Sequence, residues 1–372
     1  MTGQITEDQS ASLALLSDPA TYGLTAGEPV RRIDTHASHV FLAGDRAWKM
    51  KRALRYPYLD YGTAERRRWA CEREVALNRR TAPSLYLGTA ALRRRAGGLA
   101  LDPSGEGEGE AVEWLVVMRR FPDDALLDRM AERGLLTPDL MRRAADAIAA
   151  FHREAEVARD GAGLAAMRAV VAENVEEFRS RPDLFDRARV DDIEARSNEA
   201  LDRLAPLLDR RRAQGLVRRC HGDLHLRNLC LVDGEPTLFD AIEFNDAFTR
   251  IDVLYDLAFL LMDLVHRDRV DLATVVLNEY ARDGRRLDGL ATLPLFMATR
   301  AAIRAKVVGS AVALGGIDEA QRRDIDIYLG LAQRLLRPYR PLLVAVGGLP
   351  GTGKTTVARA AAPALGGVST PE

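Results

Sequence analysis

The sequence predicts an α+β protein with a small strand-rich N-terminal lobe, a large helical C-terminal lobe and a short α/β fragment at the end. In residues 31–120, short apolar segments alternate with a period of two around a single helix, as strands do. In residues 121–338, apolar residues recur at helical spacing, as in Pro138–Phe151. Residues 341–372 open a new unit with an apolar run and a glycine-rich loop.

Composition excludes several classes of protein. The chain has 372 residues, of which 47% are apolar and 29% charged, as in ordinary globular proteins. The 53 basic and 54 acidic residues give a formal net charge of −1, so there is no general attraction to nucleic acid or anionic membranes. No apolar run reaches the ~20 residues that span a bilayer, and the three cysteines are scattered. We therefore expect a cytoplasmic protein with reduced thiols and without a membrane partner.

The elements of the N-terminal lobe follow from local signals. Residues 1–30 are expected to form a polar leader with one short helix. The turn Gly44-Asp45 between two alternating segments predicts a β-hairpin. The expected elements, in chain order, are a helix over Ser10–Leu16, strands over His39–Ala43 and Arg46–Lys51, a helix over Thr63–Arg80, and strands over Leu85–Leu92 and Glu113–Met118. Between the last two strands, residues 105–110 alternate Gly and Glu and are expected to form an exposed loop.

The C-terminal lobe is predicted to be a set of helices interrupted by a β insert over Val217–Phe244. The predicted helices are Pro138–Phe151, Gly163–Arg179, Val190–Arg212, Asp252–His266, Asp271–Asp283, Thr292–Leu314 and Ile317–Leu336. Three runs of arginine, at 66–68, 93–95 and 210–212, are expected to lie on solvent-exposed faces.

The β insert contains the residues best suited to chemistry. It reads His221-Gly-Asp-Leu-His-Leu-Arg-Asn228, and a predicted hairpin then returns the chain to Asp240. The Asp-x-x-x-x-Asn spacing is that of a phosphoryl-transfer loop, in which Asp223 accepts a hydroxyl proton and the Asn228 oxygen binds Mg²⁺. The hairpin is expected to bring Asp240 close to Asn228 as a second metal ligand. We expect His221 to support the loop and His225 to have a structural role.

This motif, followed by Phe239-Asp-Ala-Ile-Glu-Phe244, resembles the aminoglycoside phosphotransferase and choline kinase group of the protein-kinase-like fold. The resemblance covers about residues 30–338. It is strongest to bacterial bifunctional aminoglycoside phosphotransferase/ATP-binding proteins, in which a kinase-like domain precedes a P-loop domain. The resemblance implies a two-lobed kinase-like fold, ATP and Mg²⁺ as cofactors, Asp223 as catalytic base, and Asn228 and Asp240 as Mg²⁺ ligands.

Lysine is rare in this chain, which makes each one informative. The four lysines are Lys49, Lys51, Lys306 and Lys354. Lys49 and Lys51 fall on one predicted strand and point to the same face. The resemblance favours Lys49 as the cation on the ATP phosphates, with Glu74 on the following helix as its partner and Glu72 as the alternative.

Two further nucleotide contacts are expected. The hairpin lacks a G-x-G-x-x-G pattern, so Ser38 and neighbouring main-chain N–H groups would cover the phosphates. The segment that includes Val117 and Met118 resembles the linker whose main chain meets the adenine. Downstream of Asp240, Glu243, Asp246 and Asp256 could form an acidic wall for a cationic substrate, or serve as helix caps and exposed polar groups.

A second nucleotide motif lies near the end. Residues 348–355 fit G-x-x-x-x-G-K-[ST], with Gly348, Gly353, Lys354 and Thr355 at the defining positions. They lie between a predicted strand, Leu342–Val346, and a predicted helix, Thr355–Ala362. Too few residues follow to build a parallel sheet, and an isolated strand–helix unit cannot bury its apolar strand. We therefore expect a truncated P-loop fragment and not a working site.

Together these features predict an ATP- and Mg²⁺-dependent phosphotransferase. It would move the γ-phosphoryl group of ATP to a hydroxyl of a small molecule that is aminoglycoside-, sugar- or amino-alcohol-like. The alternative is a non-catalytic nucleotide-binding regulatory module, favoured by the missing glycine loop and the P-loop fragment. Nucleic-acid binding is a weaker alternative that rests only on the abundance of arginine.

Overall fold

A computed structural model describes residues 4–25, 27–56, 58–159, 163–282, 287–311, 318–338 and 342–365. The chain divides into two compact units. The first comprises Met1–Ala125 and Thr237–Asp246, and the second comprises Leu126–Pro236 and Ala247–Glu372. The first is rich in strands and the second is mostly helical, which confirms the predicted α+β class.

An antiparallel sheet of six strands forms most of the first unit. The described part of this unit has nine strands in two sheets. They are β1 (Gln4–Ile5), β2 (Arg31–Asp34), β3 (Ser38–Ala43), β4 (Arg46–Lys51), β5 (Leu54–Tyr56), β6 (Leu59–Asp60), β7 (Tyr86–Arg95), β8 (Gly98–Asp102) and β9 (Ala111–Arg119). The large sheet has the order β2-β3-β4-β9-β7-β8, and β1, β5 and β6 form a second, small sheet. The predicted hairpin is confirmed: Ala43 pairs with Arg46, and Lys49 pairs with Val40.

The core of the first unit also includes part of the segment expected to be a polar leader. Helix α1 (Ser10–Ser17) places Leu16 against Phe41 and Trp48, and all three side chains are buried. Helix α2 (Ala64–Asn78) is capped by Thr63, whose hydroxyl oxygen accepts a hydrogen bond from the Arg66 N–H. Such a cap satisfies one of the free N–H groups of a helix start, and it fixes where α2 begins.

Eight helices form most of the described part of the second unit. They are α3 (Leu127–Glu132), α4 (Pro138–Glu154), α5 (Leu164–Ser180), α6 (Arg187–Ala213), α7 (Val253–His266), α8 (Val270–Tyr280), α9 (Leu293–Ala311) and α10 (Glu319–Leu336). The short strands are β10 (Val217–Arg219), β11 (Leu229–Val232), β12 (Glu235–Leu238) and β13 (Arg250–Asp252); β10 pairs with β13, and β11 with β12. Residues 283, 312–314 and 317, predicted at helix ends, lie outside the described residues.

The three arginine runs are not fully exposed as predicted. Each run contains one buried arginine that pairs with a carboxylate: Arg67 with Glu113, Arg93 with Asp102, and Arg211 with Asp252. The prediction of solvent-exposed faces is therefore wrong for one residue in each run. A buried guanidinium is stable only when its charge is paired and its donors are bonded. Two of the three partners, Glu113 and Asp252, lie 46 and 41 positions away in the sequence.

The C-terminal fragment is only partly as predicted. Residues 342–348 have no regular structure, and Leu342 and Leu343 are exposed, so the predicted strand Leu342–Val346 is wrong. A strand needs a neighbour to pair its main chain, and the described residues provide none here. Helix α11 (Lys354–Leu365) does form, and it lies beside α8. Among the described helices, none combines the length and the apolar composition needed to cross a membrane.

Candidate functional site

In the first unit, the predicted partners Lys49 and Glu74 meet. The Lys49 Nζ on β4 lies 2.9 Å from Oε1 of Glu74, which is buried on α2. The alternative partner, Glu72, instead pairs with Arg68 on the exposed face of the same helix. Of the two glutamates, Glu74 is therefore the one that contacts the strand lysine.

The other lysine of β4 is held by two carboxylates. Lys51 Nζ contacts Oε2 of Glu74 and Oε1 of Glu243, and the Tyr61 hydroxyl donates to the same Glu243 oxygen. Only 2% of the Lys51 side chain is exposed, compared with 14% of Lys49. Of the two ammonium groups, that of Lys49 is the more accessible to a ligand.

Asp240 lies within the same cluster. Its Oδ1 is 2.6 Å from Lys49 Nζ. The residue has a positive φ of 61°, and two hydrogen bonds hold its main chain: Asp240 N–H donates to the Tyr86 hydroxyl at 3.0 Å, and Ala241 N–H donates to Asn78 Oδ1 at 2.8 Å. Sequence analysis did not identify Tyr86 or Asn78, because these partners are far from Asp240 along the chain.

The carboxylates keep the lysine charged. Burial alone would lower the pKa of Lys49, but the negative charges of Asp240 and Glu74 outweigh it and raise that pKa well above its ordinary value. An ammonium at this position is therefore fully protonated at neutral pH, and it can pair with an anionic ligand.

In the second unit, the two defining residues of the Asp-x-x-x-x-Asn loop are hydrogen-bonded to each other. Asn228 Nδ2 donates to the Asp223 carboxylate at 2.8 Å and to the Asp223 carbonyl at 2.9 Å. His225 Nε2 lies 3.3 Å from the same carboxylate oxygen, and the His225 ring packs edge-on against Phe259 with centroids 4.9 Å apart. Asn228 and His225 together fix the position of the Asp223 carboxylate.

A buried carboxylate on α7 holds the start of this loop. Asp256 accepts hydrogen bonds from the His221 N–H at 3.0 Å and the Gly222 N–H at 2.8 Å. Its Oδ2 also lies 3.1 Å from His152 Nε2, and His152 Nδ1 lies 2.7 Å from the Tyr280 hydroxyl. Gly222 has φ of 88°, a conformation that favours glycine. The only sequence signal for His152 is its place at the end of the apolar face of α4.

The Asp223 carboxylate is surrounded by basic groups. Burial opposes its ionisation, but His225, Arg304 and His221 together hold the pKa of Asp223 below its ordinary value. The carboxylate is thus ionised at neutral pH, and it can accept a proton or orient a hydroxyl group. The expected supporting position of His221 is consistent with its Nδ1, which accepts from the Asp223 N–H at 3.3 Å.

The possible acidic wall is not what the structure shows. Glu243 is buried against Lys51, and Asp256 is fully buried beneath the loop. Asp246 pairs with Arg73. Because each of these carboxylates already neutralises a cation or caps main-chain N–H groups, we exclude the three as a ready-made surface for a cationic substrate.

The other expected nucleotide contacts are not favoured by their surroundings. Ser38 is buried, and its main-chain N–H, one of the groups expected to cover the phosphates, already donates to Thr35 Oγ1 at 2.9 Å. Val117 and Met118 lie in β9 with β4 on one side and β7 on the other. A strand paired on both sides has its main-chain groups engaged, which does not favour a main-chain contact between these two residues and adenine.

The P-loop segment forms a compact turn. Gly351 and Gly353 have φ of 80° and 79°, and the Lys354 Nζ donates to the Leu349 carbonyl at 3.1 Å. Thr352 Oγ1 donates to the same carbonyl at 2.8 Å. The lysine that defines the motif is thus bonded to its own loop.

Comparison with known protein families agrees with this geometry. Residues 70–290, which include Glu74, Asp223, Asn228 and Asp240, match the phosphotransferase enzyme family (APH). The chain belongs to this family. The matched residues include the Asp-x-x-x-x-Asn loop and Glu74, whereas Lys49 lies before them.

Two mycobacterial proteins are similar to this chain in sequence. The chain is 36% identical over 337 residues to the uncharacterized protein Rv2004c of Mycobacterium tuberculosis and to an uncharacterized protein of Mycobacterium bovis. This alignment covers 90% of the chain but 65% of each relative, so the chain spans just under two thirds of their length.

Solved structures share the fold at low identity. A choline/ethanolamine kinase family protein from Mesorhizobium loti is 16% identical, with a TM-score of 0.50 over 87% of this chain and 95% of its own. The amicoumacin kinase hAmiN, in complex with AMP-PNP, Ca²⁺ and Ami, is 14% identical, with a TM-score of 0.51 over 85% of this chain and 91% of its own. The chain therefore has the protein-kinase-like fold that these two structures share.

Proposed function

We propose that this phosphotransferase uses ATP and Mg²⁺ to phosphorylate a hydroxyl group of a small molecule. The observation that carries the proposal is the Asp223 carboxylate, ionised and held by Asn228 and His225 within the Asp-x-x-x-x-Asn loop. A fixed, ionised carboxylate of this kind suits a residue that orients an acceptor hydroxyl and takes its proton.

The transfer itself requires little covalent chemistry from the protein. Asp223 would orient the acceptor oxygen and accept its proton as the oxygen attacks. Asn228 Nδ2 keeps the Asp223 carboxylate in one position, and Asp256 keeps the preceding main chain fixed. Catalysis would then come from positioning and from charges already in place before the reaction.

The donor set fits a magnesium nucleotide. Mg²⁺ prefers oxygen ligands, and each unit by itself offers one: the partly exposed Asp240 carboxylate in the first unit, and the Asn228 amide oxygen in the second, where the Asn228 nitrogen is used by Asp223. Held by these residues, Mg²⁺ would supply positive charge against the negative charge that develops during transfer. Lys49 would hold the ATP phosphates while Glu74 keeps its ammonium in place.

The proposed acceptor is a small molecule that carries a hydroxyl group. An aminoglycoside-, sugar- or amino-alcohol-like compound supplies the hydroxyl group that Asp223 needs. Glu243, Asp246 and Asp256 already have cationic or N–H partners, so recognition of a polycation would need other carboxylates. For that reason an acceptor panel should include neutral sugars and nucleosides beside amino compounds.

The test is ADP release by the purified chain with Mg²⁺ and ATP across that panel, with Asp223→Ala in parallel. The matched control is Asp139→Ala, which removes an exposed carboxylate from the first turn of α4. We expect acceptor-stimulated ADP release in the wild type and the control, and none in Asp223→Ala. ATP binding without turnover for every acceptor would favour the regulatory module instead.

A further inference from the structure

Lys51 has no part in the proposed transfer, although it is the more deeply buried lysine of β4. Its Nζ joins Oε2 of Glu74, on α2, to Oε1 of Glu243, three residues after Asp240 in the chain. Both carboxylates are themselves buried. Lys51 is therefore the cation that ties the helix carboxylate to the segment that carries the proposed metal ligand.

The two oxygens of Glu74 are divided between the two lysines. Oε1 accepts from Lys49 and Oε2 from Lys51, while Lys49 also contacts Asp240. The cluster thus contains two ammonium groups and three carboxylates, with a formal charge of −1. Buried charges of this kind are tolerated only when each has a partner, so loss of one lysine changes the surroundings of every other member.

We infer that Lys51 is a positioning residue that fixes Glu74 and Glu243, so that the Lys49 ammonium can exchange Asp240 for a nucleotide phosphate. The inference rests on the proposed function. Because Lys51 occupies one oxygen of Glu74, that carboxylate keeps a cation even when Lys49 shifts toward a ligand. Without Lys51, three carboxylates share Lys49, and the cluster acquires a formal charge of −2. That charge retains Lys49 and repels a triphosphate.

Direct phosphate binding by Lys51 is the competing assignment. To reach a phosphate, the Lys51 ammonium would have to leave two carboxylates and the face of the Tyr61 ring, which lies 5.2 Å away. The two assignments differ in one respect. Adding Glu243→Gln to Lys51→Met returns the formal charge of the cluster to −1. This restores binding if Lys51 acts through charge and position, but not if it contacts the phosphate.

The experiment measures the dissociation constant of Mg·ATP by titration calorimetry, together with kcat and KM for ATP. The variants are Lys51→Met, Lys51→Met/Glu243→Gln and Lys49→Met, each shown to be folded by circular dichroism. Lys306→Met is the matched control, because Lys306 pairs with Glu173 on the second unit. We expect Lys51→Met to weaken binding about tenfold, the double variant to bind within about threefold of wild type, and the control to be unchanged.

Each outcome decides the inference. Wild-type affinity in Lys51→Met, or a double variant that is folded but binds as weakly as Lys51→Met, overturns it. If Lys51→Met does not fold, the double variant alone is compared with wild type: binding within about threefold supports the inference, and a loss of about tenfold or more overturns it. If the wild type binds no Mg·ATP, the proposed function fails first, and the inference fails with it.

Discussion

Asp256 Oδ1 accepts a hydrogen bond from the Gly222 main-chain N–H, with the two atoms 2.8 Å apart. The other oxygen accepts from the His221 N–H and contacts the His152 ring. Burial opposes ionisation of Asp256, but the contact with His152 outweighs it and holds the pKa of this carboxyl below its ordinary value. One buried, charged side chain thus fixes the main chain immediately before Asp223.

Asp256→Asn should be strongly destabilising. The amide keeps the size of the side chain but removes the charge, and its NH₂ group faces a main-chain N–H donor or the His152 ring. We expect the free energy of unfolding in urea to fall by about 3 kcal/mol, as for other broken buried charge networks. The control, Asp202→Asn, removes an exposed ion pair with Arg168 and should cost less than about 1 kcal/mol. Equal losses in the two variants would contradict this role of Asp256.

Asn228→Ala should impair transfer more than folding. The substitution removes both hydrogen bonds to Asp223 and the amide oxygen proposed for Mg²⁺. We expect kcat for the best acceptor to fall about 100-fold or more, and the Mg²⁺ concentration needed for half-maximal rate to rise. Asn278→Ala, which removes a hydrogen bond to the Thr274 carbonyl within α8, is the control. A rate that falls with an unchanged Mg²⁺ requirement would argue against Asn228 as a metal ligand.

Local signals predicted much of the fold, but pairing over long distances was not predictable. The Gly44-Asp45 turn and the Thr63 cap are encoded within a few residues, so the β3–β4 hairpin and α2 form where expected. Strand β1 was missed because its partner, β5, is distant in the sequence. Strand β8 was missed although it pairs with the adjacent β7, because its own five residues carry no clear alternating pattern. The apolar run after residue 341 has the composition of a strand, but composition does not supply a partner strand.

In the candidate site, too, local signals were predictable and contacts between distant positions in the sequence were not. The spacing of Asp223 and Asn228 is local, and the structure joins the two side chains by a hydrogen bond of 2.8 Å. By contrast, Tyr86 and Asp240 are 154 positions apart in the sequence, and His152 and Asp256 are 104 apart. Contacts of this kind arise only when the chain folds, so a single sequence gives no signal for them.

Acid should destabilise the protein partly through His266. Its ring stacks on Tyr328 with centroids 4.0 Å apart, and burial holds the pKa of His266 below its ordinary value, against the pull of Asp263 and Asp324. Below about pH 6.5, His266 therefore binds a proton more readily in the unfolded chain than in the folded chain. The free energy of unfolding should therefore decrease as the pH falls from about 7.5 to about 5.5.

The measurement is urea unfolding of wild type and His266→Gln across this pH range. The free energy of unfolding of the variant should decrease less, because glutamine cannot take up the proton that His266 binds in the unfolded chain. His36→Gln removes an exposed histidine and should follow the wild type. If His266→Gln and the wild type lose stability in parallel, the pH dependence arises from other groups, and His39, whose pKa burial also lowers, is the next residue to test.

Lys354→Ala should leave the ATP affinity of this chain unchanged. The Lys354 ammonium is bonded to the carbonyl of Leu349 in its own loop, and the segment before the loop forms no strand to complete a P-loop fold. Lys49→Ala, by contrast, should weaken Mg·ATP binding about tenfold or more, because it removes the ammonium that Glu74 holds. Titration calorimetry with both variants separates the two motifs. A clear loss of affinity in Lys354→Ala would show that residues 348–355 bind nucleotide even in this chain.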